Sequence, residues 1–179
     1  MAHPRKLVRD AIVAALAGKT SAGPRVQATR IDPYKRTELP AISVYTLAEQ
    51  VDSVSAATAP RELTRALTVE IAGWIAHSAA HRIDDAMDEL ATEIEAAMDA
   101  DPYLGGAAGD SLLESIDQSF QDEGDPLIGV VVLTYSVTYR TDQGQTAVDD
   151  FLTAGATTRI VGADDNNAIH DVIVVRETP

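Results

Sequence analysis

The spacing of apolar residues changes several times along this chain, and each change predicts a different element. Apolar residues three or four positions apart recur over 7–16 and over 83–97, and this spacing predicts two amphipathic helices. Apolar residues two positions apart recur over 41–47 and most strictly over 62–76. That spacing predicts strands with one buried face and one face that is wet or contacts a partner.

The long strand predicted over 62–76 has two chemically distinct sides. The apolar side contains Leu63, Leu67, Val69 and Ile71. The polar side contains Thr64, Thr68 and Glu70. Arg65 falls on the apolar side, where two interpretations stay open. It is a member of a buried ion pair, or it lies at a strand end and extends its guanidinium into solvent.

The order of elements is helix, strands, helix, strands. Further strands are predicted over 25–31, 112–120 and 127–139, and a hairpin is predicted from 157–161 and 169–175. Loops that favour hairpins link consecutive strands. The fold class expected is therefore α+β, with a mostly antiparallel or mixed β-sheet, two helices packed on one face, and a C-terminal β-hairpin or arm. We assign 1–141 to the α+β domain and 142–179 to the extension.

A polar segment, EQVDSVSAATAP at 49–60, separates the strands over 41–47 and 62–76. About a dozen residues is long for a hairpin connection, and loops of that length are commonly functional. We expect it to be a contact loop on one rim of an assembly, with Glu49, Asp52 and the adjoining Arg61 as contact residues.

Charge is unevenly distributed. The 179-residue chain has a net charge of −14. Residues 1–40 hold eight of its fourteen basic residues against three acidic ones, whereas 84–125 holds fourteen acidic residues and no Lys or Arg. Such a chain is poorly suited to gripping nucleic acid, because phosphate binding needs clustered cations. The asymmetry permits head-to-tail association of copies, and the alternative is a solvated acidic face that maintains solubility.

Head-to-tail association would place the basic end of one copy against the acidic helix of the next. The candidate interface residues are Arg5, Lys6, Arg9, Arg25, Arg30, Lys35, Arg36, Asp85, Glu89 and Glu93. Asp85, Glu89 and Glu93 repeat at four-residue spacing, where like charges cost about 0.2 to 0.5 kcal/mol per pair. A basic neighbour, a bound divalent cation, a wall that must not adhere to DNA, or plain solubility would each account for them.

The candidates for catalysis are few. His77 and His81 are four residues apart, so they could share a helix face and bind zinc with Asp84. The zinc-protease pattern places Glu directly after the first His as the general base, and Ser78 occupies that position. The chain has no cysteine, which excludes disulfides, thiolate catalysis and Cys-ligated zinc. We expect no enzyme activity, no metal and no cofactor. The alternative from another class is a small metal-dependent hydrolase using His77 and His81.

Five segments in order carry a resemblance to a known family: RKLVRDAIVAALAG, LPAISVYTLAEQ, RELTRALTVEIAGWIA, IDDAMDELATEIEAAMDADPYLGG and VVVLTYSVTYRT. Over 4–141 the chain resembles the tail terminator family of tailed bacteriophages, the group around minor tail protein U of lambda-like phages. The match lies in the order of the elements and in their general residue pattern rather than in a catalytic motif. The segment from Gln143 to Pro179 has no counterpart in this match.

The resemblance implies an α+β fold related to that of tail-tube subunits and a function in assembly. Members form a sixfold ring that caps the tail tube, stops its polymerisation and offers the surface to which the head joins. The implied partners are other copies of the chain, the tail tube protein and a head completion or connector protein, with DNA passing through the channel unbound. The implied location is the host cytoplasm during assembly and then the head–tail junction of the virion. Another ring protein of this joint, or a tube subunit, is the nearest alternative.

Overall fold

A computed structural model describes residues 2–53, 62–79, 82–121, 127–142, 153–158 and 169–174. The chain divides into two units, Met1–Gln143 and Gly144–Pro179. The first unit contains helices α1 (Pro4–Leu16) and α2 (Ile83–Asp99) and strands β1 (Val26–Ala28), β2 (Ala41–Ser53), β3 (Glu62–His77), β4 (Asp110–Gln121) and β5 (Leu127–Asp142). The second contains β6 (Thr153–Thr158) and β7 (Ile169–Val174), which pair antiparallel.

The first unit is built on a five-stranded sheet in the order β1-β2-β3-β5-β4. Its centre is the antiparallel pair β3–β5, which stays in register from Glu62 opposite Asp142 to His77 opposite Leu127. β1 runs parallel to β2 and forms one edge of the sheet. β4 runs antiparallel to β5 and forms the other edge. The α+β class and the mixed sheet with two helices are confirmed.

Strict alternation separates the two sides of this sheet, which we call the helix face and the second face. On β3, Leu67, Val69 and Ile71 are buried beneath the helices, whereas Thr68 and Glu70 lie on the second face and stay partly exposed. This is the division that the period-two pattern predicts. The second face has no helix among the described residues, and it combines small and polar side chains with a few large ones, among them Tyr45, Trp74 and Val132.

The core lies between the helix face and both helices. α1 contributes Val8, Ile12 and Leu16, which are fully buried. The buried residues of α2 recur at helical spacing and include Met87, Leu90 and Ile94. α2 lies close to the sheet because Gly73 on β3 and Gly129 on β5 have no side chain beneath it: an added Cβ would come within 2.6 Å of Leu90 and of Met87, respectively. No helix among the described residues is both long and apolar enough to span a bilayer.

The structure corrects the boundaries of two predicted strands. β2 continues to Ser53 rather than ending at 47, so Glu49 and Asp52 belong to a strand and not to a loop. A register shift between Thr46 and Glu49 absorbs the break in alternation, and β3 then supplies backbone partners up to Ser53. β1 ends at Ala28 rather than 31 because Thr29 adopts a φ of 51°, which a strand does not accommodate.

The remaining boundaries agree more closely with the sequence, with one exception. Ile169–Val174 lies where the second strand of the C-terminal hairpin is predicted, but its partner Thr153–Thr158 begins four residues before 157. The segment 54–61, which includes Arg61, lies outside the described residues.

We expect Gly73→Ala to lower the free energy of unfolding by about 1 to 3 kcal/mol, because the new methyl group would overlap Leu90 in a closed core. Urea denaturation measures this change. Gly109→Ala is the matched control, since the nearest atom to its Cβ is 3.5 Å away. In the double variant Gly73→Ala with Leu90→Ala, the two losses should be less than additive. Full additivity would show that the two sites do not touch.

Candidate functional site

The acidic side chains of α2 form a ridge that the rest of the fold holds in place. Asp85, Asp88, Glu89 and Glu93 line one open groove along the helix, and we call them the acidic ridge. The amide of Gln118 on β4 donates to Asp88 across 2.7 Å. The backbone N–H of Ser21 donates to Glu93 across 2.6 Å. The Asp88 end of the ridge is therefore fixed next to β4 and the Glu93 end next to the α1–β1 connection, and 84–121 contains no cation that could neutralise it.

The basic residues of α1 contact their own fold. Arg5 donates to the carbonyl oxygen of Leu47 across 2.8 Å. Arg9 donates to the hydroxyl of Thr29 across 3.2 Å. Lys6 forms an ion pair with Asp10, one turn along the same helix. These contacts orient Arg5 toward β2 and Arg9 toward the end of β1.

A second basic group lies on the connection between β1 and β2. We call residues 29–40 the basic loop, because it contains Arg30, Lys35 and Arg36 against two acidic residues, and Arg25 adjoins it. Arg25 donates to the carbonyl oxygen of Pro40 across 2.8 Å. Arg30 forms an ion pair with Glu38 across 3.0 Å and lies 4.0 Å over the ring of Tyr34. A hydrogen bond from the Lys35 N–H is the main factor that lowers the pKa of the Glu38 carboxyl.

The basic loop crosses the second face of the sheet and encloses an aromatic pocket there. The hydroxyl of Tyr34 lies 2.8 Å from that of the buried Ser43, and Tyr45 donates to the carbonyl oxygen of Arg30 across 2.8 Å. The ring of Tyr34 lies 6.1 Å from that of Trp74, tilted by 53°. The resulting cavity of about 230 Å³ has mostly apolar and aromatic walls, formed chiefly by Ile31, Tyr34, Leu39, Tyr45, Trp74 and Ile128.

A polar cluster joins three strands at the end of the sheet where β2 stops and β3 begins. Arg65 forms an ion pair with Glu49 across 3.2 Å and donates to Thr141 across 2.8 Å. Tyr139 donates its hydroxyl proton to the same carboxylate. Only 12% of the Glu49 side chain and 22% of the Arg65 side chain are exposed. Burial and the bond to Glu49 raise the pKa of Tyr139 above its usual value. Arg65 is thus a member of a largely buried ion pair.

The β4 edge carries exposed apolar side chains on both sides. Leu112 is 64% exposed, Ile116 42% and Phe120 50%. Ile116 and Phe120 pair with Leu133 and Gly129, so they lie on the helix face beside α2. Leu112 lies on the second face. Exposed apolar residues along an unpaired strand edge are typical of contact surfaces.

The structure places His77, one member of the suggested two-histidine site, outside any helix. His77 is the last residue of β3 rather than part of a helix, and its Nδ1 accepts from the N–H of Ala79 across 3.0 Å. The prediction that His77 and His81 share a helix face is wrong, because the alternating pattern extends the strand through 77. His81 lies outside the described residues, and Asp84 is exposed in the first turn of α2. Among the described residues, no three acidic or histidine side chains form a cluster that could hold a metal.

The structure groups the predicted interface residues into separate surfaces. Asp85, Glu89 and Glu93 lie together on the acidic ridge, whereas the cations divide between α1 and the basic loop. Sequence reasoning missed the aromatic pocket and the polar cluster. One signal for the pocket was available: Trp74 falls on the second face by the alternation of β3, among small and polar residues, where an indole needs a cover.

Comparisons with known proteins add little to this geometry. No family model matches the sequence, and no curated protein matches it. Among solved structures, the chain is similar to one from the "Virion of native gene transfer agent (GTA) particle". The identity is 15%, the match covers 76% of this chain and 92% of the other, and the TM-score is 0.31. A similarity of that size assigns no function.

Two tyrosines of β5 test the polar cluster. Tyr139→Phe removes the hydroxyl that donates to Glu49, so we expect the free energy of unfolding to fall by about 1.5 to 3 kcal/mol. Tyr135→Phe is the matched control on the same face of the strand, because the Tyr135 hydroxyl is buried with no hydrogen-bond partner among the described residues. We expect it to change stability by less than about 0.5 kcal/mol. Equal losses in urea denaturation would contradict the role assigned to the cluster.

Proposed function

We propose that this chain is a tail terminator of a tailed phage or phage-like particle. It forms a closed ring, with six copies as the expected number, that caps a tail tube, ends its polymerisation and presents a surface for the head. It acts through its surfaces and transforms no substrate. The proposal starts from the ordered sequence segments that resemble the terminator family. The fold is compatible with it, since the resemblance implies an α+β domain.

The observation that carries the proposal is the separation of charge across one sheet. The acidic ridge lies on the helix side of the sheet, where Asp88 is bonded to β4, and the basic loop lies on the second face, where it lines the aromatic pocket. A surface that attracts a different surface of the next copy gives a heterologous contact, and such contacts close into rings when the rotation between copies allows it. Complementary charge also guides the copies into one orientation.

The end of the sheet that holds the polar cluster is the proposed docking end for the tube. Glu49 and Asp52 lie there on β2. The pair between Glu49 and Arg65 ties β2 to β3, and Tyr139 ties β5 to both. A contact surface needs this kind of support, because strand ends tied together lose less freedom on binding.

The net charge suits a channel through which DNA moves. Six copies would carry six times the −14 of one chain. Acidic walls repel phosphates, so DNA would slide without adhering.

The test of the proposal is the mass of the purified protein in solution, followed by electron microscopy. One chain is 19.0 kDa, so a six-copy ring would be about 114 kDa. Single rings that stop the growth of tail tubes would support the terminator. Long tubes formed by this chain alone would identify a tube subunit instead. A chain that stays monomeric even when tail tubes are added would contradict the ring.

Charge reversal tests the head-to-tail contact. We expect Asp85→Lys with Glu89→Lys to weaken ring formation about tenfold or more, because the acidic ridge would then repel a basic neighbour. Rising salt should weaken the unmodified ring in the same direction. Mass photometry across a dilution series measures both effects.

The control for charge reversal makes the same change in net charge at the far end of the sheet. Asp52→Lys with Asp142→Lys alters exposed residues near the proposed tube-docking end. Ring mass should not change in this control. The charged contact would be refuted if both double variants assembled like the unmodified chain at every salt concentration.

A further inference from the structure

We propose that the β4 edge of each copy overlaps the second face of the next copy, so that Phe120 of one copy binds in the aromatic pocket of its neighbour. The inference rests on the proposed ring and adds to it the contact that fixes the copies. It concerns two features of the described part of the chain. One is a half-exposed phenyl ring at the β4 edge, and the other is a pocket of about 230 Å³ on the second face.

The two features lie on opposite sides of the sheet, and this determines how the copies meet. Phe120 lies on the helix face, because it pairs with Gly129, whose missing side chain would point at α2. The pocket lies on the second face, because Tyr45 and Trp74 both point away from the helices. If the sheets of two copies continued edge to edge, Phe120 would lie on the helix face of the joined sheet, and the neighbour's pocket would lie on its opposite face. If the β4 edge of one copy overlaps the second face of the next, Phe120 faces the pocket.

The charged residues follow the same overlap. The acidic ridge lies on the helix side of the β4 edge, tied to it by the bond between Gln118 and Asp88. The basic loop lies on the second face, where it forms one wall of the pocket. Overlap therefore brings acidic residues toward Arg30, Lys35 and Arg36 in the same step that brings Phe120 toward the pocket. Edge-to-edge continuation would leave the basic loop on the side away from the ridge.

The chemistry of the pocket suits a phenyl ring. Tyr34, Tyr45 and Trp74 offer ring faces and edges, and aromatic pairs gain beyond area burial when tilted or offset. Ile31 is 91% exposed at the rim and would be covered by an overlapping copy. An aromatic anchor in a pocket surrounded by complementary charge is the usual arrangement of an interface hot spot. The occupant we assign is therefore a second copy of this chain.

The chain contains a single tryptophan, so its fluorescence reports on the pocket directly. On assembly, the emission of Trp74 should shift to shorter wavelength as Phe120 excludes water. Phe120→Ala should weaken assembly about tenfold or more and remove the shift. Ile31→Asp should weaken assembly from the other side of the contact and leave the fold intact, because the Ile31 side chain is exposed. Leu112→Ala is the matched control, because Leu112 is an exposed apolar residue of the same strand on the opposite face.

Cross-linking gives a second readout. Because the chain has no cysteine, Ile116→Cys combined with Ile31→Cys introduces the only two thiols and keeps Phe120, which lies on the same face of β4, in place. A short bis-maleimide should join copies into a ladder that ends at six on a denaturing gel. Leu112→Cys combined with Ile31→Cys should not produce it.

The outcomes separate the two proposals. Rings that form without a Trp74 shift, tolerate Phe120→Ala and give no ladder would overturn the overlapping contact and leave the terminator standing. A chain that forms no ring under any condition overturns both. Circular dichroism of each variant, compared with Leu112→Ala, shows whether a loss of assembly reflects a loss of fold.

Discussion

The central pairing of β3 with β5 is the constraint on which the rest of this structure depends. It runs the whole length of both strands and fixes which residues face the helices. Two helices can close only one side of the resulting sheet. The helix face accordingly carries Leu67, Val69 and Ile71, and α2 approaches closely over Gly73 and Gly129. The second face then has to tolerate water or another protein, and its small polar residues meet that requirement.

The same constraint explains why the edges of the sheet differ. β1 is three residues long, and the basic loop that follows it turns back over the second face. β4 is twelve residues long and has no strand on its outer side among the described residues. A long edge invites pairing with the same edge of another copy, which would join two copies instead of building a ring. Asp110, Glu114 and Asp117 oppose that pairing, because two acidic edges would repel each other. The acidic residues of this edge therefore disfavour contact between two β4 edges and favour contact with a basic surface of the next copy.

The sequence predicted the fold well where one period dominated and poorly where the period broke. β3, β5 and α2 were predictable because each has a single repeat of buried positions. The predicted β2 is too short because the register shift after Thr46 interrupts the alternation of apolar residues. The strand continues because its backbone pairs with β3, and no local sequence pattern shows that pairing. The acidic ridge could be predicted from helical spacing alone. The aromatic pocket could not, because Tyr34, Tyr45 and Trp74 are distant in sequence and meet only when the basic loop folds back.

An overlapping contact with an aromatic anchor suits a ring that must close at a fixed number of copies. In an open chain of copies, one end has an empty pocket and the other end has an exposed Phe120. Closing the ring fills both at once, and the final contact forms within one assembly, where the effective concentration of its two halves is high. Each contact can therefore be modest while the closed ring is stable. Charge fixes the orientation of approach, and a pocket on one face and an anchor on the other set the rotation between copies. That rotation, rather than the strength of any one contact, determines the number of copies at which the ring closes.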